Sequence, residues 1–120
     1  MRLLAVLLLS MAIARAAHAQ PGADPPPAAY ARCLACHGGT LAGHDVGPSL
    51  AGVFGRRAGS RDDFRYSRAL ARSGIVWDEP SLDAFLKAPD RFVPGTRMPF
   101  EGMAADAERA AIIRYLKTLR

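Results

Sequence analysis

Two thiols and an imidazole stand close together in Cys33-Leu34-Ala35-Cys36-His37. On a helix, positions i, i+3 and i+4 share one face, so these three side chains would point the same way. Cys-x-x-Cys-His is the attachment pattern of a c-type haem. The thiols add to the two vinyl groups as thioethers, and the imidazole reaches the iron from below. The spacing suits that task, with two anchors at the rim of a macrocycle and a ligand under its centre. A structural zinc site needs four N or S ligands, and beyond this cluster only His18 and His44 remain. A thioredoxin-like redox pair wants a βαβ setting, which the sequence lacks. A disulfide across two intervening residues would close a tiny loop with little constraining effect.

A bound iron needs a sixth ligand or an open position. Softness and geometry leave Met, His, Lys or water. Met98 and Met103 are the methionines beyond the N-terminal apolar run, with His44, Lys87 and Lys117 as other donors. Met98 sits in Pro94-Gly95-Thr96-Arg97-Met98-Pro99, a loop that can bring a side chain close to a flat ligand. A methionine there can equally fill a core, so the residues alone leave the sixth position open.

The elements that must position these groups are short. Pro27 can begin a helix, and residues 28–34 are good helix formers. Residues 38–61 hold seven of the eleven glycines and lack the alternation of a strand. So long an irregular stretch in a small domain points to a chain wrapped around something. Ser67 can cap a helix through Arg72, closed by Gly74. After Asp78 and Pro80, Leu82, Phe85 and Leu86 make an apolar helical face that ends before Pro89. Residues 89–104 read as a loop. From Asp106, Ile112, Tyr115, Leu116 and Leu119 mark the best helix. The expected fold class is all-α: three to four short helices and long Gly/Pro loops around one buried cofactor.

With 120 residues the chain has room for one small domain. Met1 and Arg2 precede an apolar run from Leu3 to Ala14, and Ala17-His18-Ala19 fits a small-x-small cleavage site. The run is well short of the roughly 20 residues a bilayer span needs. Residues 1–19 are therefore expected to be a signal peptide, 20–27 a flexible proline-rich lead and 28–120 the folded domain. Removing 1–19 takes two arginines and lowers the formal charge from +5 to +3. That excess is too weak to argue for nucleic acid but permits attraction to an acidic protein surface.

The chain resembles the class I cytochromes c of the mitochondrial-like bacterial type. Beyond the haem signature, the resemblance is carried by residues 47–56 (GPSLAGVFGR), Phe64-Arg65-Tyr66-Ser67, Gly74-Ile75-Val76-Trp77, the loop from Val93 to Met98, and Arg114-Tyr115-Leu116. It spans about residues 28–119. It implies one haem c, covalently held through Cys33 and Cys36, with His37 as proximal and Met98 as distal iron ligand. Pro48 would accept the other ring nitrogen of His37. Tyr66 and Trp77 would hydrogen-bond a propionate, and Arg56 and Thr96 would help hold the propionates. Phe100 would lie by the distal face, with Leu50, Leu86, Ile112 and Leu116 lining the apolar pocket.

Three departures stand out. Relatives carry an aromatic four residues before the first cysteine, where this chain has Ala29 followed by Tyr30. That leaves the docking of the N- and C-terminal helices without its usual contact. Phe85 replaces a tyrosine that bonds the Met sulfur in many relatives, and Leu70 replaces a common polar pocket residue.

With two axial ligands the iron has no open position, so no catalytic residues and no enzyme activity are expected. The expected function is one-electron transport in the periplasm. Donors would be a quinol-oxidising complex or a dehydrogenase, and acceptors an oxidase or a reductase. The protein would be a monomer without stable membrane insertion. Arg97, Lys87 and Arg91, offset by Asp90, would surround the exposed haem edge. Two alternatives remain: a haem subunit held by one periplasmic dehydrogenase, and a peroxidase-like enzyme whose distal Met is displaceable. Relatives can exchange Met for a nearby Lys at alkaline pH. Here Arg97 precedes Met98, so an altered alkaline transition is expected.

Overall fold

The structure, a computed structural model, describes residues 24–38 and 46–120. The signal peptide with its cleavage site, the start of the proline-rich lead and His44 lie outside the described residues. Pro27, at φ −65°, accepts the Tyr30 amide through its carbonyl at 2.9 Å. A 3-10 turn, Ala28–Tyr30, runs directly into helix α1, Ala31–His37. Helix thus continues past Leu34 and carries Cys33, Cys36 and His37 together. Gly38 ends it at φ 73°, a left-handed value that costs little without a Cβ.

Helix α2 is the four-residue Arg68–Ala71, and the Ser67 hydroxyl accepts the Leu70 amide, as capping chemistry predicts. Helix α3, Glu79–Lys87, starts with a reciprocal cap. The Asp78 carboxylate accepts the Ser81 amide and the Ser81 hydroxyl accepts the Asp78 amide, both at 2.9 Å. It ends at Ala88, before Pro89. The stretch 89–104 is not wholly loop. Pro89 starts a second, four-residue helix, α4, Pro89–Phe92, because proline at the first helical position needs no amide partner. Helix α5, Asp106–Leu116, is the longest element and buries Ile112, Ile113 and Leu116.

Among the described residues there is no strand beyond one isolated antiparallel bridge, between Arg57 and Val76. Around it Ala58 donates to the Ile75 carbonyl at 2.8 Å, and Trp77 to that of Arg56 at 2.9 Å. This pairing brings Arg56 and Trp77 together from distant parts of the chain. Helix α3 packs on α4 and α5, and α5 packs on the Ala28–Tyr30 turn. Among the described residues no helix is long and apolar enough to cross a membrane.

The N- and C-terminal helices do dock through an aromatic pair. Tyr30 is buried and meets the Tyr115 ring edge-on, with centroids 4.6 Å apart. Tyr30 supplies this contact because the 3-10 turn winds more tightly than an α-helix and re-aims the side chain. Burial, then the neighbouring Cys33 and Tyr115, push its phenol from 10.0 up to about 12. Between those values the unfolded chain gives up a proton that the folded chain keeps. Stability is therefore lost as pH rises through this window. Tyr30→Phe should flatten the loss: thermal midpoints measured from about pH 10 to about 12 should fall less in the variant than in the native protein. An equal fall in both would contradict it.

Candidate functional site

Helix α1, the loops around it and α3 enclose a cavity of about 570 Å³. That lies within the range of small-molecule and cofactor sites. Its walls include Leu50, Val53, Leu70, Leu82, Phe85, Leu86 and Leu116. All nine residues expected at the site line it: Cys33, Cys36, His37, Pro48, Arg56, Tyr66, Trp77, Thr96 and Met98.

The His37 ring is buried, with Nδ1 at 2.7 Å from the Pro48 carbonyl oxygen. A carbonyl only accepts, so Nδ1 carries the hydrogen and Nε2 keeps a lone pair. Burial pushes this imidazole below its ordinary value, against the opposing pull of the Pro48 carbonyl. The approach depends on Gly47. A Cβ there would lie 2.9 Å from both the Cys36 carbonyl oxygen and His37 Nδ1. Cys33 and Cys36 are free, half-buried thiols. Burial raises the Cys33 thiol, and the Arg32 charge offsets part of that rise.

Arg56 looks like a surface charge in sequence but is half-buried. It donates to the Ala51 carbonyl at 2.7 Å and to that of Ser49 at 3.4 Å. Those bonds fix the plane of a guanidinium that has five donors in all. Tyr66 stands edge-on to Phe64 at 5.0 Å, and burial raises its phenol. Trp77 packs against Phe85 at 5.0 Å. Met98 is half-buried, and its amide approaches the Thr96 hydroxyl at 3.4 Å. Next to it, Arg97 reaches across and donates to the Arg65 carbonyl, so the Met98 loop is tied to the Arg65–Tyr66 segment.

A family model for cytochrome c matches residues 27–120. The chain belongs to the cytochrome c family. It is 47% identical over 97 residues to cytochrome c2 iso-2 of Magnetospirillum fulvum, covering 81% of this chain and all of that protein. It is 37% identical over 121 residues to cytochrome c2 of Rhodomicrobium vannielii, covering 98% and 97%. Among solved structures it is similar to cytochrome cH from Methylobacterium extorquens, with TM-score 0.71 and 43% identity over 75% of this chain and 91% of that one. The fold is the all-α arrangement of the class I cytochromes c, and the chain is an electron-carrying c-type haem protein.

The residues present fit that group. A cytochrome c holds its haem through thioethers, and Cys33 and Cys36 are the chain's two cysteines. Both line the cavity, as does His37. The walls are mainly apolar, with polar side chains from Arg56, Tyr66, Trp77 and Thr96 among them.

Some expected neighbours of the cytochrome site are elsewhere. Ile112 packs in the core one turn before Leu116 on the same face of α5, and of the two Leu116 reaches the cavity wall. Phe100 is not among the cavity walls; it packs against the core, with the Arg32 guanidinium 5.0 Å from its ring centroid. Of the charges expected around the haem edge, Arg97 lines the cavity itself, as do Arg57 and Arg65. Sequence reasoning missed Gly47, whose role shows only in a three-dimensional close approach. It also missed the cavity-facing position of Tyr30.

Gly47→Ala tests the close approach directly. The added methyl must displace either the Cys36 carbonyl or the His37 ring, at a cost of about 1–3 kcal/mol. Thermal unfolding should record that loss, together with a lower yield of covalently attached haem. Native stability and yield in the variant would contradict it.

Proposed function

We propose that this cytochrome is a monomeric, periplasmic one-electron carrier whose iron is held by His37 and Met98. Residues 1–19 are a signal peptide cleaved after Ala19, 20–27 a flexible lead and 28–120 the working domain. Its donor is a quinol-oxidising complex or a dehydrogenase, and its acceptor an oxidase or a reductase. The observation that carries this proposal is the convergence of His37, already bonded to Pro48, and Met98 on one largely apolar cavity.

When bound, the haem supplies a one-electron iron couple. The chain supplies the rest. His37 offers Nε2 while the Pro48 carbonyl fixes its tautomer and raises its basicity. The Met98 thioether is neutral and soft, which favours the reduced state, and the apolar walls disfavour the extra charge of the oxidised one. Both push the potential upward. Arg56, Tyr66, Trp77 and Thr96 hold the two propionates, with Arg56 preorganised by its bonds to Ala51 and Ser49. Phe85 brings no hydroxyl to the methionine sulfur, and Leu70 brings no polar group to the pocket. No side chain is assigned a catalytic step.

The visible spectrum of the mature oxidised protein tests the ligand pair. A low-spin c-type spectrum with a weak red Met-to-iron band is expected, and Met98→Ala should abolish that band. A native protein without the band, or a variant that keeps it, would overturn the assignment.

No lysine lines the cavity: Lys87 is exposed, and Lys117 pairs with Glu79 at 2.6 Å. Arginine does not ordinarily lose its proton to become a ligand. Alkaline titration should therefore bleach the red band without yielding an ordinary lysine-ligated form. A lysine-ligated spectrum that Lys87→Ala removes would contradict this.

A further inference from the structure

Met98 belongs to residues 93–101, which form turns and no regular element. Its reach into the cavity is set by the Arg97 tie to the Arg65 carbonyl and by what holds the two ends of that segment. At the near end Val93 is buried, and its amide donates to the Pro89 carbonyl at 2.9 Å. The far end is bolted to α3. Gly102 has φ +111°, and a Cβ there would collide with the Lys87 carbonyl. The Met103 amide donates to the Leu86 carbonyl at 2.8 Å, and the Met103 side chain is 1% exposed.

Arg109 on α5 closes this junction. It is a charged residue with only 2% of its surface exposed. Nη1 donates to the carbonyls of Met103 and Ala104, both at 2.8 Å. Nε donates to Asp83 Oδ1 of α3 at 2.8 Å, and Nη2 to Asp106 Oδ1. One guanidinium thus joins the Met98 segment, α3 and α5. The planar fork can serve all four acceptors at once, which a lysine ammonium with three donors on one nitrogen cannot. The junction cannot shift without stripping partners from a buried charge.

We propose that Arg109 is the positioning residue for Met98: it holds the far end of the methionine loop and so sets how often the thioether leaves the distal position. This rests on Met98 being the distal ligand. Arg109 does not line the cavity and acts through Met103, Ala104 and α3. Asp83, 47% exposed on its side chain, steadies the guanidinium from outside.

External imidazole can reach the iron only in the fraction of molecules whose methionine is away, so its apparent affinity reports that fraction. The experiment titrates oxidised holoprotein with imidazole and follows the red band. Arg109→Lys and Arg109→Met should raise imidazole affinity by about tenfold or more, and Asp83→Asn by less in the same direction. Ile113→Ala, which truncates a buried α5 residue away from the cavity, should lower thermal stability and leave imidazole affinity within about twofold. A native-like affinity in both Arg109 variants would overturn the proposal. So would a common rise in the Arg109 variants and Ile113→Ala that tracks stability. If Arg109→Met does not fold, Arg109→Lys and Asp83→Asn decide, and native affinity in both is the contrary result. Absence of the red band in the native protein would overturn the Met98 assignment and this proposal together. Its presence with unmoved affinities would overturn this proposal alone.

Discussion

The hydrogen bond from His37 Nδ1 to the Pro48 carbonyl, 2.7 Å long, joins a helix to a loop and fixes the chemistry of an imidazole at the same time. It requires the Gly47–Pro48 backbone to lie flat against the ring, and only a residue without a Cβ permits that approach. It decides which nitrogen carries the hydrogen and turns the other toward the cavity that the two thiols share. A ring held by that bond keeps one orientation, which lowers the entropy lost on ligation. The remainder of the fold builds a second, distant ligand and an apolar enclosure around that fixed point.

A domain of this size with short helices has a small core of its own. Its long connections are ordered by a few polar ties, several of them made by arginine. Arg56 binds the carbonyls of Ser49 and Ala51, Arg97 that of Arg65, and Arg109 those of Met103 and Ala104. Each replaces regular backbone pairing with a charge-assisted bond to an irregular loop. In this chain the guanidinium groups are thus structural fasteners as well as sources of positive charge. The same arrangement leaves the cavity lining without a lysine.

The features legible in the sequence were those with local causes. Cys-x-x-Cys-His on a helix, the Ser67 cap and the apolar face of Leu82, Phe85 and Leu86 depend on residues a few positions apart, and each is found in place. The cofactor class followed from the same short motif. Less legible were features set by tertiary geometry. Pro89 reads as a helix stop, yet it opens a new turn. Tyr30 reads as out of register, yet the tighter first turn brings it onto Tyr115. Arg109 reads as one more charge on a helix, and only the approach of Met103, Ala104 and Asp83 shows it as buried and four-fold bonded. The contact between Phe100 and Arg32 likewise has no local signature.

The reduced protein exposed to carbon monoxide gives the most direct test of a closed two-ligand site. With His37 and Met98 both in place, its visible spectrum should stay unchanged when the gas is added. Rapid conversion to a carbon monoxide complex would mean an open iron, and the electron-carrier assignment would give way to a ligand-binding or catalytic one.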